Sequence, residues 1–426
     1  MQIQKAYKFE LKVRSRQEQK LRRAAGCCRF AWNKALQLQK DRLNWGERVL
    51  TANDLQLVLT HWKQAYHPFL YQAPAQALQQ TLQNLVDGIF KSFNPDMPQS
   101  FPQFKKKGDG DSFRIPQGMQ WEREAHRVFI PNLGWFNYRK SYRKDKLLGE
   151  LRNITVSRDG AKWFVALQVQ YEAPDVVHPN QVPIGLDLGI KHFAVLSDRT
   201  VIAPLNSFRT LACELAAAQV NLSRKRKFGR NWSRQKALVS AVHRRIANCR
   251  REFIHQASNR ITNNHGDIRM EALKAKNMSA SAAGSLLEPG VNVSAKRGLN
   301  KSILDQGWGE FRRQLEYKSK WKGGKVSLVN PQHTSQECPE CHHVEAGNRP
   351  TRDQFCCLKC GYADEADYVA ARNISQRDTL SEPVQRTQRK LSPTKPSREG
   401  CRGRNPSVKA VLIPLPEPGI TVPLGR

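Results

Sequence analysis

The chain has 426 residues, of which 39% are hydrophobic, and its 70 Lys and Arg residues against 37 Asp and Glu give a net charge of +33. This apolar content suffices for packed cores and excludes a wholly disordered basic chain. The charge argues against a neutral metabolic enzyme and predicts a polyanionic partner, above all nucleic acid. No apolar run is long enough to cross a bilayer and the first residues lack the apolar segment of a signal peptide, so we expect a cytoplasmic protein with no membrane contact.

The first 180 residues predict a small β-barrel with helices inserted after its first strand. Alternating apolar residues from Tyr7 to Val13 predict that strand. Apolar stripes at helical spacing predict three helices, at 17–45, 51–66 and 74–93. Extended runs between Gly and Pro predict further strands, at 112–115, 127–130, 151–156 and 163–171. We expect the helices to form a separate lobe beside the barrel.

Two basic regions predict contacts with a nucleic-acid backbone. A loop after the third helix contains Lys105, Lys106 and Lys107. Two later helices, predicted at 209–227 and 233–264, carry basic charge with acidic residues nearly absent, which favours phosphate contact over a merely solvated face. The candidates on these helices are Arg224, Lys225, Arg226, Lys227, Arg244, Arg245, Arg250 and Arg251.

Three carboxylates lie where they would suit a metal site. Asp187 follows an apolar run and has glycines two residues away on both sides, which predicts a buried strand, a tight turn and a second strand. These small neighbours would leave room for a phosphate backbone. Glu271 lies near the end of a later predicted strand, and Asp367 lies at a helix start. A turn role for Asp187 and a capping role for Asp367 stay open, but a buried carboxylate is costly unless it is paired or binds a metal.

Two C-x2-C pairs predict a structural zinc site. They follow a helix predicted at 303–318 and a strand predicted at 325–329. Four thiolates at this spacing can surround one tetrahedral ion, and they leave no open position for catalysis. The neighbouring Cys356 is expected to point away, because side chains alternate along a strand. The predicted ligands are Cys338, Cys341, Cys357 and Cys360.

In this order and spacing, these stretches resemble the TnpB family, the OrfB proteins of bacterial insertion sequences, over about residues 5–380. The matching segments are 185–189 (GLDLG) and 270–274 (MEALK) for the first two RuvC motifs, 334–341 with 355–361 for the zinc ribbon, and 367–374 (DYVAARNI) for the third RuvC motif. Each motif alone is modest evidence for the family, and the motifs in this order and spacing are specific for it.

The resemblance implies an RNA-guided DNA endonuclease encoded by a transposable element and related to type V CRISPR effectors. It implies that Asp187, Glu271 and Asp367 bind Mg²⁺ or Mn²⁺ and cut DNA, since hard carboxylate oxygens suit these ions. The cysteines would hold structural Zn²⁺. The implied partners are a guide RNA from the transposon end and a double-stranded DNA target, with sequence read by base pairing. The implied location is the prokaryotic nucleoid.

The implied fold is an α/β multidomain protein: an RNase H-like (RuvC) nuclease domain with an inserted zinc ribbon, and an N-terminal wedge β-barrel with a helical recognition insertion. The expected domains are the wedge barrel at 1–180 with its insertion at about 15–100, the nuclease domain at 181–335 and 362–380, the zinc ribbon at 336–361, and a disordered, basic, Pro-rich tail at 381–426.

Some residues depart from the family pattern. Ala272 lies where the family often has a second acid, Val369 where it often has Asn, and His342 where Gly is usual. Asp364 is a second candidate for the third carboxylate. Two other functions therefore stay open: a transposase that joins strands itself, disfavoured because no separate helix-turn-helix module is evident, and a guide-free zinc-ribbon regulator that binds nucleic acid without cutting.

Overall fold

The computed structural model describes residues 1–380, apart from 96–98, 109, 142–146, 207–209, 274 and 285–287. The predicted tail at 381–426 lies outside the described residues. Residues Met1–Leu380 form one unit by their internal contacts. Within the described part, no helix is both long enough and apolar enough to cross a membrane.

Seven antiparallel strands form the first sheet. They are β1 (Gln2–Lys12), β2 (Ser112–Ile115), β3 (Gln120–Glu122), β4 (Arg127–Ile130), β5 (Gly134–Tyr138), β6 (Glu150–Asp159) and β7 (Lys162–Glu172). Their order is β2-β6-β7-β1-β5-β4-β3. Every predicted strand is present, whereas β3 and β5 were not expected. No pairing among the described residues closes β2 onto β3, so the barrel stays a prediction.

Strand β1 lies at the centre of this sheet because its apolar residues alternate. Tyr7, Phe9 and Leu11 are buried, while the residues between them are not. The strand pairs with β7 from Gln2 opposite Glu172 to Glu10 opposite Phe164. This long central pairing fixes the register of the sheet.

Three helices lie between β1 and β2, where the sequence predicts an insertion. They are α1 (Ser15–Asn44), α2 (Ala52–His61) and α3 (Ala75–Phe93), with a π-helical turn at Trp62–Tyr66 and a 3₁₀ turn at Pro68–Gln72 after α2. The separate lobe stays a prediction, and the buried cluster of the helices is continuous with that of the sheet. Leu21 of α1 and Leu82 of α3 belong to the same buried cluster as Phe136 of the sheet, because the apolar stripes of the helices cover the apolar face of the strands.

The second sheet is mixed and has five strands. They are β8 (Pro183–Asp187), β9 (Ala194–Leu196), β10 (Val201–Ile202), β11 (Asp267–Glu271) and β12 (Lys325–Val329), in the order β10-β9-β8-β11-β12. Strand β11 runs parallel to β8 and β12, whereas β9 is antiparallel to β8. The connection from β8 to β9 covers residues 188–193 and is therefore longer than the tight turn predicted there.

Among the residues that the structure describes, six helices accompany this sheet: α4 (Ala212–Ser223), α5 (Arg230–Asn264), α6 (Ala275–Met278), α7 (Val293–Gln306), α8 (Trp308–Trp321) and α9 (Ala366–Gln376). Ile254 of α5 and Phe311 of α8 pack in the buried cluster of Leu186. The single helix predicted at 303–318 was wrong. Gly307 adopts φ +67 between α7 and α8, a left-handed conformation that glycine adopts without steric penalty and that ends a helix.

A short antiparallel pair, β13 (Gln354–Cys356) and β14 (Ala363–Glu365), lies in the segment between β12 and α9. Its small core contains Cys338, Phe355 and Cys357 together with Ala366 and Val369 of α9. The segment that carries the four cysteines is therefore packed directly on the start of α9.

Candidate functional site

The second sheet brings the first two candidate carboxylates to one edge. Asp187 is the last residue of β8 and Glu271 the last residue of β11. These strands are parallel neighbours, with Leu186 opposite Met270, so both carboxylates leave the sheet at the same end. Asp367 lies in the first turn of α9. Strand β8, strand β11 and the start of α9, which are distant in sequence, therefore carry the three carboxylates.

Electrostatic interaction shows that the three groups are close. Burial, then the charge of Glu271, then that of Asp367, raise the pKa of Asp187 to about 7. The Arg349 guanidinium opposes this shift but does not cancel it. Burial also raises the pKa of Glu271, against the hydrogen bond that the Thr334 hydroxyl donates to its Oε1 and against the charge of Arg377. Asp187 and Glu271 are half-buried acids with raised pKa values, and a bound cation would lower both.

These residues fit a divalent cation such as Mg²⁺ or Mn²⁺. The ligand atoms would be hard carboxylate oxygens, which both ions prefer, and a cation would remove the repulsion that raises the pKa of Asp187. The three carboxylates do not form a compact ligand cluster among the described residues, unlike the cysteines. One reason is Arg349, whose Nη2 lies 3.5 Å from Oδ1 of Asp367.

The alternative third carboxylate is engaged elsewhere. Asp364 lies in β14, and its Oδ2 accepts a hydrogen bond from Nη2 of Arg199 at 2.7 Å. Burial alone would raise the pKa of Asp364, but hydrogen bonds from Arg199 and from the Glu365 amide hold it below its ordinary value. A carboxylate neutralised in this way has less need of a metal, which favours Asp367.

The glycines beside Asp187 have a different role from the predicted one. A Cβ on Gly185 would overlap the carbonyl oxygen of Ala371 in α9, and one on Gly189 would lie 2.9 Å from the His192 carbonyl oxygen. The space around Gly185 is therefore filled by α9 and not left for a nucleic-acid backbone. This close approach seats α9, and with it Asp367, against the strand of Asp187.

The four predicted zinc ligands form one compact cluster. Their Sγ atoms all lie within 4.8 Å of one another, with Cys338 and Cys360 3.6 Å apart and Cys341 and Cys357 3.5 Å apart. Tetrahedral Zn–S bonds of about 2.3 Å place sulfurs roughly 3.8 Å apart, so the cluster fits Zn²⁺. Cys356 is exposed and lies outside the cluster, as expected.

Three residues of this region explain features that the sequence left open. Asn348 is buried; its side-chain amide donates to the carbonyl oxygens of Gln336 and His343 and accepts from the Leu358 amide, so it joins both cysteine pairs. His342 adopts φ +55, which explains why glycine suits this position. Val369 is buried in the apolar core beneath the cysteines. The role of Asn348 was missed, since a lone Asn carries no pattern.

The predicted basic contacts divide into two groups. Nε of Arg244 lies 3.1 Å from Oδ2 of Asp159, and Nη1 of Arg245 lies 3.0 Å from Oε2 of Glu214. Arg250 donates to the Leu304 carbonyl oxygen and its Nη1 lies 3.9 Å from Oδ1 of Asp305, while Arg251 approaches the amide oxygen of Asn248 at 3.4 Å. The expectation that this side of the helix lacks acidic partners was wrong for Arg244, Arg245 and Arg250, because their partners come from other elements.

The remaining candidates are exposed. Arg224, Lys225, Arg226 and Lys227 lie in the turn after α4, and none of them pairs with a carboxylate of the described residues. Lys105, Lys106 and Lys107 are exposed in the loop before β2, where Nζ of Lys105 lies 3.7 Å from the centre of the Trp32 ring.

Three family models match the chain. A model described as "Probable transposase" matches residues 166–282, one described as "Cas12f1-like, TNB domain" matches 308–374, and one described as "Helix-turn-helix domain" matches 1–48. In this structure residues 1–48 contain strand β1 and the single 30-residue helix α1.

Curated relatives match most of the chain. "Putative RNA-guided DNA endonuclease InsQ" of Escherichia coli (strain K12) is 43% identical over 370 residues, covering 87% of this chain and 91% of the relative. A "Putative RNA-guided DNA endonuclease" of Streptomyces pristinaespiralis is 29% identical over 382 residues, covering 88% and 89%.

A solved structure shares the fold. A chain of the "Cryo-EM structure of the Cas12f1-sgRNA-target DNA complex" has a TM-score of 0.51 and 14% sequence identity, covering 89% of this chain and 100% of that chain. At this identity the likeness concerns the fold alone.

Proposed function

The chain belongs to the TnpB/OrfB family, and from this premise we propose that it is an RNA-guided, divalent-metal-dependent DNA endonuclease encoded by a transposable element. The relatives named as RNA-guided DNA endonucleases support the guided nuclease class. The metal-dependent site is an inference from the residues of this chain.

The observation that carries the proposal is the placement of Asp187 and Glu271 at the ends of the parallel strands β8 and β11, with Asp367 in the first turn of α9. Burial and the neighbouring charges of Glu271 and Asp367 raise the pKa of Asp187 to about 7. A fold that holds three carboxylates against their mutual repulsion, at the ends of two strands and a helix, is suited to bind divalent cations.

Each carboxylate has a distinct position in the proposed reaction. Asp187 and Glu271 would hold cations at the sheet edge, with Glu271 oriented by the Thr334 hydroxyl, and Asp367 would complete the ligand set from α9. Bound Mg²⁺ or Mn²⁺ would supply Lewis-acid stabilisation of a phosphodiester and lower the pKa of water. Arg349, which lies beside Asp367, would be placed to approach the negative charge of the DNA strand.

The cysteine cluster has a structural part in this proposal. Zn²⁺ held by Cys338, Cys341, Cys357 and Cys360 would fix the loop that carries Arg349. It would also fix the start of α9, because the cluster shares a core with Val369. The zinc region thus positions two groups of the site without taking part in cleavage.

The proposed partners are a guide RNA made from the transposon end and a double-stranded DNA target. The net charge of +33 suits two polyanions, and target choice would rest on base pairing. The wedge and recognition roles of the first sheet and its helices, and a location at the nucleoid, belong to the same proposal.

The test is to express the protein with its native flanking DNA and to sequence the nucleic acid that copurifies. One discrete RNA that runs from the element's end into adjoining sequence is expected, and the protein loaded with it should cut matching DNA when Mg²⁺ is added. Random RNA fragments, or matched DNA left intact in Mg²⁺ and in Mn²⁺, would contradict the proposal.

A transposase that joins strands is the second candidate, favoured by the match of residues 166–282 to a model described as a probable transposase. It predicts joined products from element ends and target DNA without any RNA. The same purified protein, incubated with element ends before and after ribonuclease treatment, separates the two functions.

A further inference from the structure

The turn between α4 and α5 presents an exposed aromatic ring. Phe228 is 86% exposed, and its ring lies 5.5 Å from that of Trp232, centroid to centroid, at an interplanar angle of 51°. Nζ of Lys236 lies 5.1 Å from the centre of the Trp232 ring. Exposed aromatic rings with a cation close by are surfaces on which nucleic-acid bases stack.

The backbone at this ring is in an unfavourable conformation. Phe228 adopts φ +67. The Gly229 amide donates to the Arg226 carbonyl oxygen at 3.2 Å, which closes a turn whose third residue is Phe228. Gly or Asn is usual at such a position, because a larger side chain meets a steric penalty there. Gly229, which could adopt a positive φ freely, has φ −71 instead. Strain at an exposed residue calls for a functional explanation.

The charges around this ring all have the same sign. Seven exposed cations lie in the turn and the first helical turns after it, and no carboxylate of the described residues pairs with any of them. They are Arg224, Lys225, Arg226, Lys227, Arg230, Arg234 and Lys236. The sequence has no acidic residue between Glu214 and Glu252. This part of the α4–α5 hairpin therefore differs from the part near Arg244 and Arg245, where arginines are paired with carboxylates.

We propose that Phe228 and Trp232 form a stacking platform for an unpaired base of the guide RNA, with the seven cations binding the adjacent phosphates. The proposal rests on the guided nuclease function. The occupant is RNA because loops and bulges offer unstacked bases, whereas a DNA duplex keeps its bases stacked and inaccessible to an exposed ring.

A purely structural explanation is available for the same contact. Phe228 directly precedes Gly229, the N-cap of α5, and a hydrophobic residue there can pack on the first turn and fix the helix start. Such packing buries the side chain, and Phe228 is mostly exposed. The two explanations predict different effects of substitution.

The experiment measures the affinity of the full-length protein for an in vitro transcript of the RNA that copurifies with it. The KCl concentration is varied between about 50 and 300 mM, a range in which counterion release determines the salt dependence of binding. Phe228→Ala is expected to weaken binding about tenfold at every salt concentration. The slope against salt should not change, because a neutral ring displaces no counterions. Phe228→Trp should retain the affinity, and Arg226→Gln should reduce the slope.

Unchanged RNA affinity of Phe228→Ala would overturn the stacking platform. A lowered melting temperature of that variant would then indicate helix capping, and weakened binding of target DNA would indicate a contact with DNA. Phe228→Gly separates the loss of stacking from a loss of stability. It relieves the backbone strain, so the variant should be at least as stable as the wild type, and its RNA affinity should be reduced as in Phe228→Ala. If wild-type protein binds the RNA but cuts no DNA, only the nuclease proposal fails.

Discussion

The carboxylate site and the cysteine cluster both suit metal ions, yet the structure treats them differently. The four Sγ atoms lie within 4.8 Å of one another. The three carboxylates form no such compact cluster among the described residues, and the charges of Glu271 and Asp367 add to burial in raising the pKa of Asp187. The cysteine loops are held by the hydrogen bonds of Asn348 and by a small apolar core, and a metal bound there would add folding energy. The carboxylates lie at the ends of two strands and in the first turn of a helix. We therefore expect a metal at the cysteines to stabilise the fold, and the repulsion among the carboxylates to reduce its stability.

The largest expected effect is on cleavage. Asp187→Ala removes a ligand for the cations and should lower the cleavage rate by about 10³-fold or more, given that metal stabilisation is worth several kcal/mol. RNA affinity should stay within about twofold, since no basic contact changes. The measurement is single-turnover cleavage of matched DNA beside RNA binding. Asp364→Ala is the control and should retain cleavage. An Asp187→Ala protein that still cuts would contradict the site, and loss of cleavage in Asp364→Ala would assign the third carboxylate to Asp364 in place of Asp367.

The next effect is on the fold. Cys338→Ser should remove Zn²⁺ and lower the free energy of unfolding by about 3 kcal/mol or more, because metal binding and folding are coupled. Zinc content by mass spectrometry and unfolding in urea measure both quantities. Cys356→Ser, which changes an exposed neighbour, should leave both unchanged. A fully stable Cys338→Ser protein without zinc would remove the contrast between the two sites.

A third substitution should stabilise the protein, whereas Cys338→Ser should destabilise it. Asp187→Asn removes a repelled charge and should raise the free energy of unfolding at pH 8 by about 1–3 kcal/mol, in buffer without Mg²⁺ or Mn²⁺ and without chelator, so that zinc stays bound. The folded wild type has a pKa of about 7 at Asp187 against an ordinary 3.8. It therefore takes up a proton as the pH falls through 7, and the advantage of Asn should shrink towards pH 4. An Asn variant less stable at pH 8 would contradict this.

The smallest effect concerns Thr334, the residue that connects the two sites. Its hydroxyl donates to Glu271, and its carbonyl oxygen accepts from Asn373 of α9. Thr334→Val removes the hydrogen bond to the carboxylate and should slow cleavage about fivefold, as expected for a loss of about 1 kcal/mol. Titration with Mg²⁺ should show weaker metal binding, so that cleavage by the variant falls most at low Mg²⁺ concentration. Thr334→Ser keeps the hydroxyl and should behave as the wild type.

Sequence patterns predicted the parts of this fold that depend on local order. Alternation identified β1, and helical stripes identified α1 and α3 to within a few residues. Cysteine spacing predicted a cluster that the structure assembles. Gly307 was missed as a helix break because the apolar periodicity continues across it, and only the backbone angle reveals the interruption.

The charge contacts were harder to predict because partners can come from anywhere in the chain. Arg244 pairs with Asp159, 85 residues earlier, so a count of local acids wrongly suggested a free basic side. Asp187 and Glu271 were predicted to converge through the motif resemblance, and the parallel register of β8 and β11 provides the physical reason. The distinction between paired and unpaired cations required the structure.

Gly185 has a consequence for how this chain tolerates mutation. Gly185 has no side chain that could bind a metal ion. Any side chain there would nevertheless collide with the Ala371 carbonyl oxygen and push α9 away from β8. Asp367 would move with the helix, while the sheet and the cysteine cluster could stay folded. A mutational scan scored on cleavage alone would therefore rank Gly185 beside the carboxylates, and only a parallel scan of protein abundance would tell a displaced helix from a missing ligand.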